Sequence, residues 1–140
     1  MLLDKKALLS KEKLEIAKVD LGNEDFVFVR QMTGRERDSF ERSLIKEKKD
    51  DNGKIIDYER SIEDFRAKLA VNTVCDETGR ALLEPKDYPI LSQHMSARRL
   101  ELIVNKAQEL NKISDTDKEN LVKNSNPDPQ DNSSSNSVEN

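Results

Sequence analysis

The chain has 140 residues, of which 37% are charged and 34% hydrophobic, with no Trp and a formal net charge of −4. That composition predicts one domain with a lean core beneath a heavily solvated surface. Asp128, Asp131 and Glu139 supply three of the negative charges, so residues 1–123 net −1, which gives no electrostatic case for nucleic acid, whose binding needs a basic stripe; the single cysteine, Cys75, excludes an intramolecular disulfide.

Residues 1–12 are short and charged, with Ala7, Leu8 and Leu9 as an apolar cluster. They read as a loosely docked arm or one helical turn. No apolar run here reaches signal-peptide length, and none downstream reaches membrane-spanning length, so a cytosolic protein without a membrane partner is expected.

The stretch KLEIAKVDLGNEDFVFVRQM predicts a β-hairpin over 13–21 and 25–31. Leu14 and Ile16 alternate with polar neighbours, Phe26 to Val29 are aromatic and β-branched, and Gly22-Asn23 is turn chemistry. Strand alternation places Phe26 and Phe28 on one face and Val27 and Val29 on the other. A hairpin on a helical layer buries one of these faces, so the other, together with an unpaired edge strand, is a candidate partner surface. The competing reading has Ala7–Leu9 covering it.

Thr33 followed by Glu36 is a capping box that opens a helix, with Phe40 and Leu44 on one face. Asn52-Gly53 marks the tip of a polar loop. A longer helix is predicted from Asp57, because Tyr58, Ile62, Phe65 and Leu69 recur at helical spacing. It should end near Cys75, before the turn Asp76–Gly79, where Gly79 suits a left-handed position.

A short connection follows, extended at Ala81–Leu83, and Pro89 fits a turn or an early helical position. The clearest helix comes next, as one stretch over ILSQHMSARRLELIVNKAQELNKI. Ser96 is its candidate N-cap, and Leu100, Ile103, Val104, Ala107 and Leu110 form its stripe. Ser114 starts a second cap signal before a short last helix anchored by Leu121 and Val122. The tail 124–140 holds five Asn, five Ser and two Pro and is expected to be disordered. The fold expectation is α+β, mainly α, with the N-terminal hairpin packed on about three principal helices.

Chemistry-bearing constellations are sparse. His94 has no Cys or His at ligand spacing, and Cys75 has no third group to build a nucleophile–base set with His94. The loop DDNGKIID lacks the ligand pattern of a calcium site, and the four glycines form no phosphate cradle. No catalytic set, cofactor or metal is expected. Arg98-Arg99 and Arg35/Arg37 are basic pairs, but a recognition helix needs more positive charge around it. Arg98 and Arg99 are retained as secondary partner-binding candidates.

In order and spacing, Met32-Thr33-Gly34-Arg35-Glu36, the Asp76–Gly79 turn, Asp87 ahead of Leu91, and Leu110-Asn111 resemble the tail assembly chaperones of long-tailed bacteriophages. The Gram-positive siphophage and prophage members are the most similar, and the resemblance covers roughly residues 5–118. It implies a non-enzymatic protein that binds the tape-measure protein, keeps it soluble, assists tail-tube assembly and is absent from the mature virion. It also implies a tail-tube contact through a frameshifted longer form, in which residues 124–140 would be the tether. Self-association along a long rod would strengthen such binding. The alternative expectation is a small cytosolic adaptor or a DNA-binding regulator.

Overall fold

The structure is a computed structural model, described for residues 1–122. The expectation for the tail 124–140 lies outside the described residues. The elements run α1 (Lys5–Leu9), β1 (Ile16–Gly22), β2 (Asp25–Arg30), α2 (Gly34–Ser43), β3 (Ile45–Lys49), β4 (Ile55–Arg60), α3 (Phe65–Thr73), β5 (Val74–Cys75), α4 (Tyr88–His94), α5 (Ala97–Leu110) and α6 (Asp115–Val122). Helix outweighs strand only modestly, so "mainly α" overstates a mixed α/β fold.

The N-terminal hairpin forms where the sequence places it. β1 and β2 pair antiparallel, with Val19 opposite Val27 and Asp20 opposite Phe26. The two-residue turn Asn23-Glu24 has φ of 54° and 67°, the left-handed pair that matches strand twist. Val19, Leu21 and Val29 are buried beneath α5, and Val27 packs against the same core.

α2 opens on the expected capping box. Thr33 accepts from the Glu36 amide at 3.2 Å, and Glu36 accepts from the Thr33 amide at 2.9 Å. Phe40 and Leu44 are fully buried, and Phe40 meets Phe65 edge-on with centroids 5.5 Å apart. Lys68 donates to the Ser43 carbonyl at 2.9 Å and so satisfies a C-terminal acceptor that α2 cannot pair internally.

The structure departs from expectation between residues 45 and 64. Residues 45–60 form a second antiparallel hairpin, a two-stranded ribbon in which Ile45 pairs with Arg60 and Glu47 with Tyr58. Asp50 closes its tip by accepting from the amides of Asn52 and Lys54, both at 2.9 Å. The helix assigned from Asp57 therefore begins only at Phe65. Tyr58 and Ile62, read as core, are exposed, whereas Phe65 and Leu69 are buried. The asparagine–glycine turn and the β-branched pair Ile55-Ile56 favour a hairpin, and this local preference outweighs the coincidental helical spacing of Tyr58 and Ile62. The N-cap of α3 is Asp64, in the left-handed region at φ 59° with no capping bond of its own. Its carboxylate instead accepts from the Ser92 hydroxyl at 2.6 Å.

α3 ends at Thr73, two residues before Cys75. Val74 and Cys75 then pair with Val29 and Phe28, giving a three-stranded sheet in the order β1-β2-β5. Gly79 takes φ +91°, as its position in the turn predicts, and Ala81 bridges back to Cys75. The single long C-terminal helical stretch is two helices, α4 and α5. Met95 between them is extended, and Ser96 caps α5 by accepting from the Arg99 amide at 3.2 Å. Pro89 sits in the first turn of α4. Leu100, Ile103, Val104 and Ala107 of α5 are buried, and Leu110 packs at the margin. Ser114 and Asp117 cap α6 reciprocally at 3.0 Å each way.

Candidate functional surfaces

The first candidate surface is the outer face of the N-terminal sheet. Phe26 and Phe28 meet edge to face with centroids 5.7 Å apart, and the Lys18 ammonium lies 4.3 Å from the Phe26 centroid. Phe26 is 48% exposed, whereas Val29 on the opposite face is fully buried. Alternation thus separates the pairs as expected. The expected free edge is β1, because β5 covers part of the other side of β2. The arm does not cover this sheet: α1 buries none of its residues, and Leu8 and Leu9 are exposed.

Arg98 and Arg99 lie at the start of α5, beside the hairpin turn, and have different roles. Arg99 donates to the Asp25 carboxylate at 2.8 Å and to the Gly22 carbonyl at 3.3 Å. It fastens helix to hairpin rather than offering a free cation. Arg98 is exposed, and its guanidinium lies 3.6 Å from where a β-carbon on Gly22 would stand. Of the other basic pair, Arg37 is tied to Glu41 at 2.8 Å.

Two further surfaces escape a reading of sequence alone. A cleft of about 720 Å³ opens between α4, the start of α5 and the hairpin turn, with Leu83, Ile90, Leu91 and Met95 as its apolar wall and Asn23 and Arg99 at its end. Ile90 is 62% exposed. The second is the ribbon itself. One face carries Ile45, Glu47, Tyr58 and Arg60, which with Arg42 line a shallow hollow. Its other face pairs Lys46 with Glu59 and Lys48 with Asp57 in register. The Asn-Gly turn signal pointed to a tip here. The ribbon's exposed face had no such signal, because the same residues also fit a helix.

The polar interior serves the fold. Arg30 is buried and forms a bidentate pair with Glu36 at 2.9 and 2.6 Å. Burial pushes the Glu36 carboxyl up, but bonds from Arg30 and Thr33 outweigh it and hold the group below the ordinary carboxylate range. Cys75 is buried in β5, and burial pushes its thiol up, which disfavours the reactive thiolate. His94 is exposed at the end of α4, where it lines the cleft. Among the described residues, no three His, Cys, Asp or Glu side chains gather as a metal would need, and no helix is long and apolar enough to cross a membrane. Comparison with protein-family models, with curated proteins and with solved structures found no match for this chain.

Proposed function

We propose that this protein is a tail assembly chaperone of a long-tailed bacteriophage or prophage. In this reading it binds the tape-measure protein in the host cytoplasm, holds it soluble and yields it to the assembling tail tube. The proposal grows from the ordered motifs between Met32 and Asn111.

The observation that carries it is the placement of unburied apolar side chains. They sit on several separate elements: Leu8 and Leu9 on the arm, Ile56 and Tyr58 on the ribbon, Ile90 at the cleft and Phe26 on the sheet. A tape-measure protein is a long helical rod with apolar faces that stay bare until tube subunits enclose it. Several modest patches can shield such a rod and still be displaced, whereas one large dry interface would hold it too tightly. The basic pairs offer less to a phosphate backbone, since Arg99 and Arg37 are already bonded to carboxylates.

Co-expression with the tape-measure protein encoded in the same phage or prophage genome tests the reading. The tape-measure protein should move from the insoluble to the soluble fraction and co-purify with this chain. A tape-measure protein that stays insoluble in its presence would overturn the proposal. Replacing Phe26 and Phe28 with Asp should weaken the complex while the helical circular-dichroism signal persists; unchanged binding would remove the sheet face from the contact.

A further inference from the structure

Asp64 has two uses that it cannot serve together. It stands at the N-cap of α3, where a carboxylate ordinarily accepts from the second or third helical amide, here that of Arg66 or Ala67. Capping of that kind needs extended backbone. Asp64 instead sits in the left-handed region, at φ 59° and ψ 23°, and makes no capping bond. A residue with a β-carbon holds that conformation at a cost. The carboxylate is turned to the Ser92 hydroxyl of α4, at 2.6 Å, the short separation of a charge-assisted bond.

α4 depends on that bond because little else holds it. None of its seven residues is buried. Leu91 packs only at the margin of the core, as does Met95 just beyond the helix, and the Tyr88 ring lies 5.1 Å from the Lys68 ammonium. Met95 is extended between α4 and α5 and gives α4 a joint at its C-terminal end. Two hollows flank the helix. Ile90, Leu91 and His94 line the cleft of about 720 Å³. Ser92 lines a smaller hollow of about 230 Å³ that reaches Asp64, Phe65 and Leu100. Met95 lines both, so α4 is the wall between them.

We propose that Asp64 is the pivot of a two-state latch. In the closed state, the one in the structure, it is left-handed and holds α4 through Ser92. In the open state its backbone turns extended, its carboxylate caps α3, and α4 swings out about Met95. Opening joins the cleft to the smaller hollow and bares Phe65 and Leu100, which the closed state keeps buried. The two states stay close in free energy because the losses and gains oppose each other. Opening gives up the Ser92 bond, but it gains a helix cap and relieves the left-handed backbone. Two such neighbouring states are what a ligand selects between. The latch belongs to the folded chain alone and goes beyond the chaperone reading.

Hydrogen exchange of the full chain, read amide by amide by NMR, tests the latch with two variants. Asp64 and Ser92 are only partly buried, so both variants should fold, checked by circular dichroism. Ser92→Ala removes the clamp and leaves Asp64 free to cap. The amides of Gln93, His94 and Met95 should then exchange about tenfold faster. The amide of Arg66 or Ala67 should slow about fivefold as it gains the cap, and that of Val104 in the core should not change. Fluorescence of the apolar dye anilinonaphthalene sulfonate should rise as Phe65 and Leu100 become accessible. Asp64→Gly keeps the left-handed backbone but has no carboxylate. Its α4 amides should quicken as in Ser92→Ala, with no slowing at Arg66 or Ala67. Unchanged α4 exchange in Ser92→Ala would overturn the proposal. So would faster α4 exchange without slowing at Arg66 or Ala67, which would make the Ser92 bond a plain tether. Val104 quickening by the same factor as α4 would also overturn it, by showing that the whole domain opens.

Discussion

Arg30 is a buried cation held by one carboxylate, and its Nε is the single buried side-chain nitrogen or oxygen among the described residues without a hydrogen-bond partner. Glu36 therefore has two tasks: it caps α2 and neutralises Arg30. Replacing Glu36 with Gln keeps the shape but strands the guanidinium. Because Glu36 is about one-third exposed, the loss should be about 2–3 kcal/mol rather than the full cost of breaking a sealed pair. The folded-state value of Glu36 lies below its ordinary one. Its contribution is thus complete above about pH 4.3 and disappears as the pH falls through the folded value. Urea unfolding should show the gap between wild type and Glu36→Gln to be widest at pH 7 and narrowed at pH 3. An equal gap at both would remove the ion pair as its cause. The other motif residues are also fasteners. Asn111 accepts from the Met32 amide at 2.7 Å and donates to the Ala107 carbonyl at 2.9 Å, closing α5 against the entry to α2. Asp76 accepts from the amides of Thr78 and Arg80 at 2.8 and 3.0 Å, and Asp87 from the Glu84 amide at 2.8 Å. Most residues that carry the family resemblance hold the fold, and Asp87 and Leu91 also line the cleft.

At the scale of elements, the ribbon stands apart from the body. Every residue of β3 is exposed, and β4 is exposed until Glu59 and Arg60. A lone two-stranded hairpin is marginal in water, so its sequence is not explained by the stability of this domain. Replacing residues 46–59 with an Asn-Gly turn joins Ile45 to Arg60, which already face each other in register. The melting free energy should change by no more than about 1 kcal/mol. By contrast, Leu69→Ala in α3, fully buried against α5, should cost about 2–5 kcal/mol. Denaturant midpoints of the two variants compare directly, and equal losses would place the ribbon in the core. The same contrast shows what was legible in the sequence. The first hairpin, the Thr33 and Ser96 caps and the α5 stripe were readable, because the local signals and the core face agree there. The ribbon was not readable, because Tyr58 and Ile62 extend the spacing of Phe65 and Leu69 by accident. The start of α3 depends on Ser92 bonding Asp64 from 28 residues away, which no local pattern encodes. Of the surfaces, strand alternation revealed the outward Phe26. The cleft is assembled from residues between 23 and 99 by tertiary packing and left no trace in any one segment.

One core organises the described residues. The inner face of the N-terminal hairpin, Phe40 and Leu44 of α2, Leu69 and Ala70 of α3, the α5 stripe and Ile113 form a single buried cluster. The arm, the ribbon and the outer face of β2 are attached to it without contributing to it. Such a division predicts two classes of backbone amide. Those of Val29, Leu69 and Val104, fully buried at the centre, can exchange hydrogen only when the domain opens globally. Those of the arm and ribbon exchange through local fraying, and so should be faster by about a thousandfold or more. Binding a partner through the projecting elements should slow exchange there and leave the central amides nearly unchanged, since the body need not rearrange to present surfaces that already project. Hydrogen exchange with and without the tape-measure protein measures both effects. Protection confined to the core, with the arm, ribbon, cleft and Phe26 face still exchanging freely in the complex, would show that the partner grips none of the surfaces the fold leaves bare.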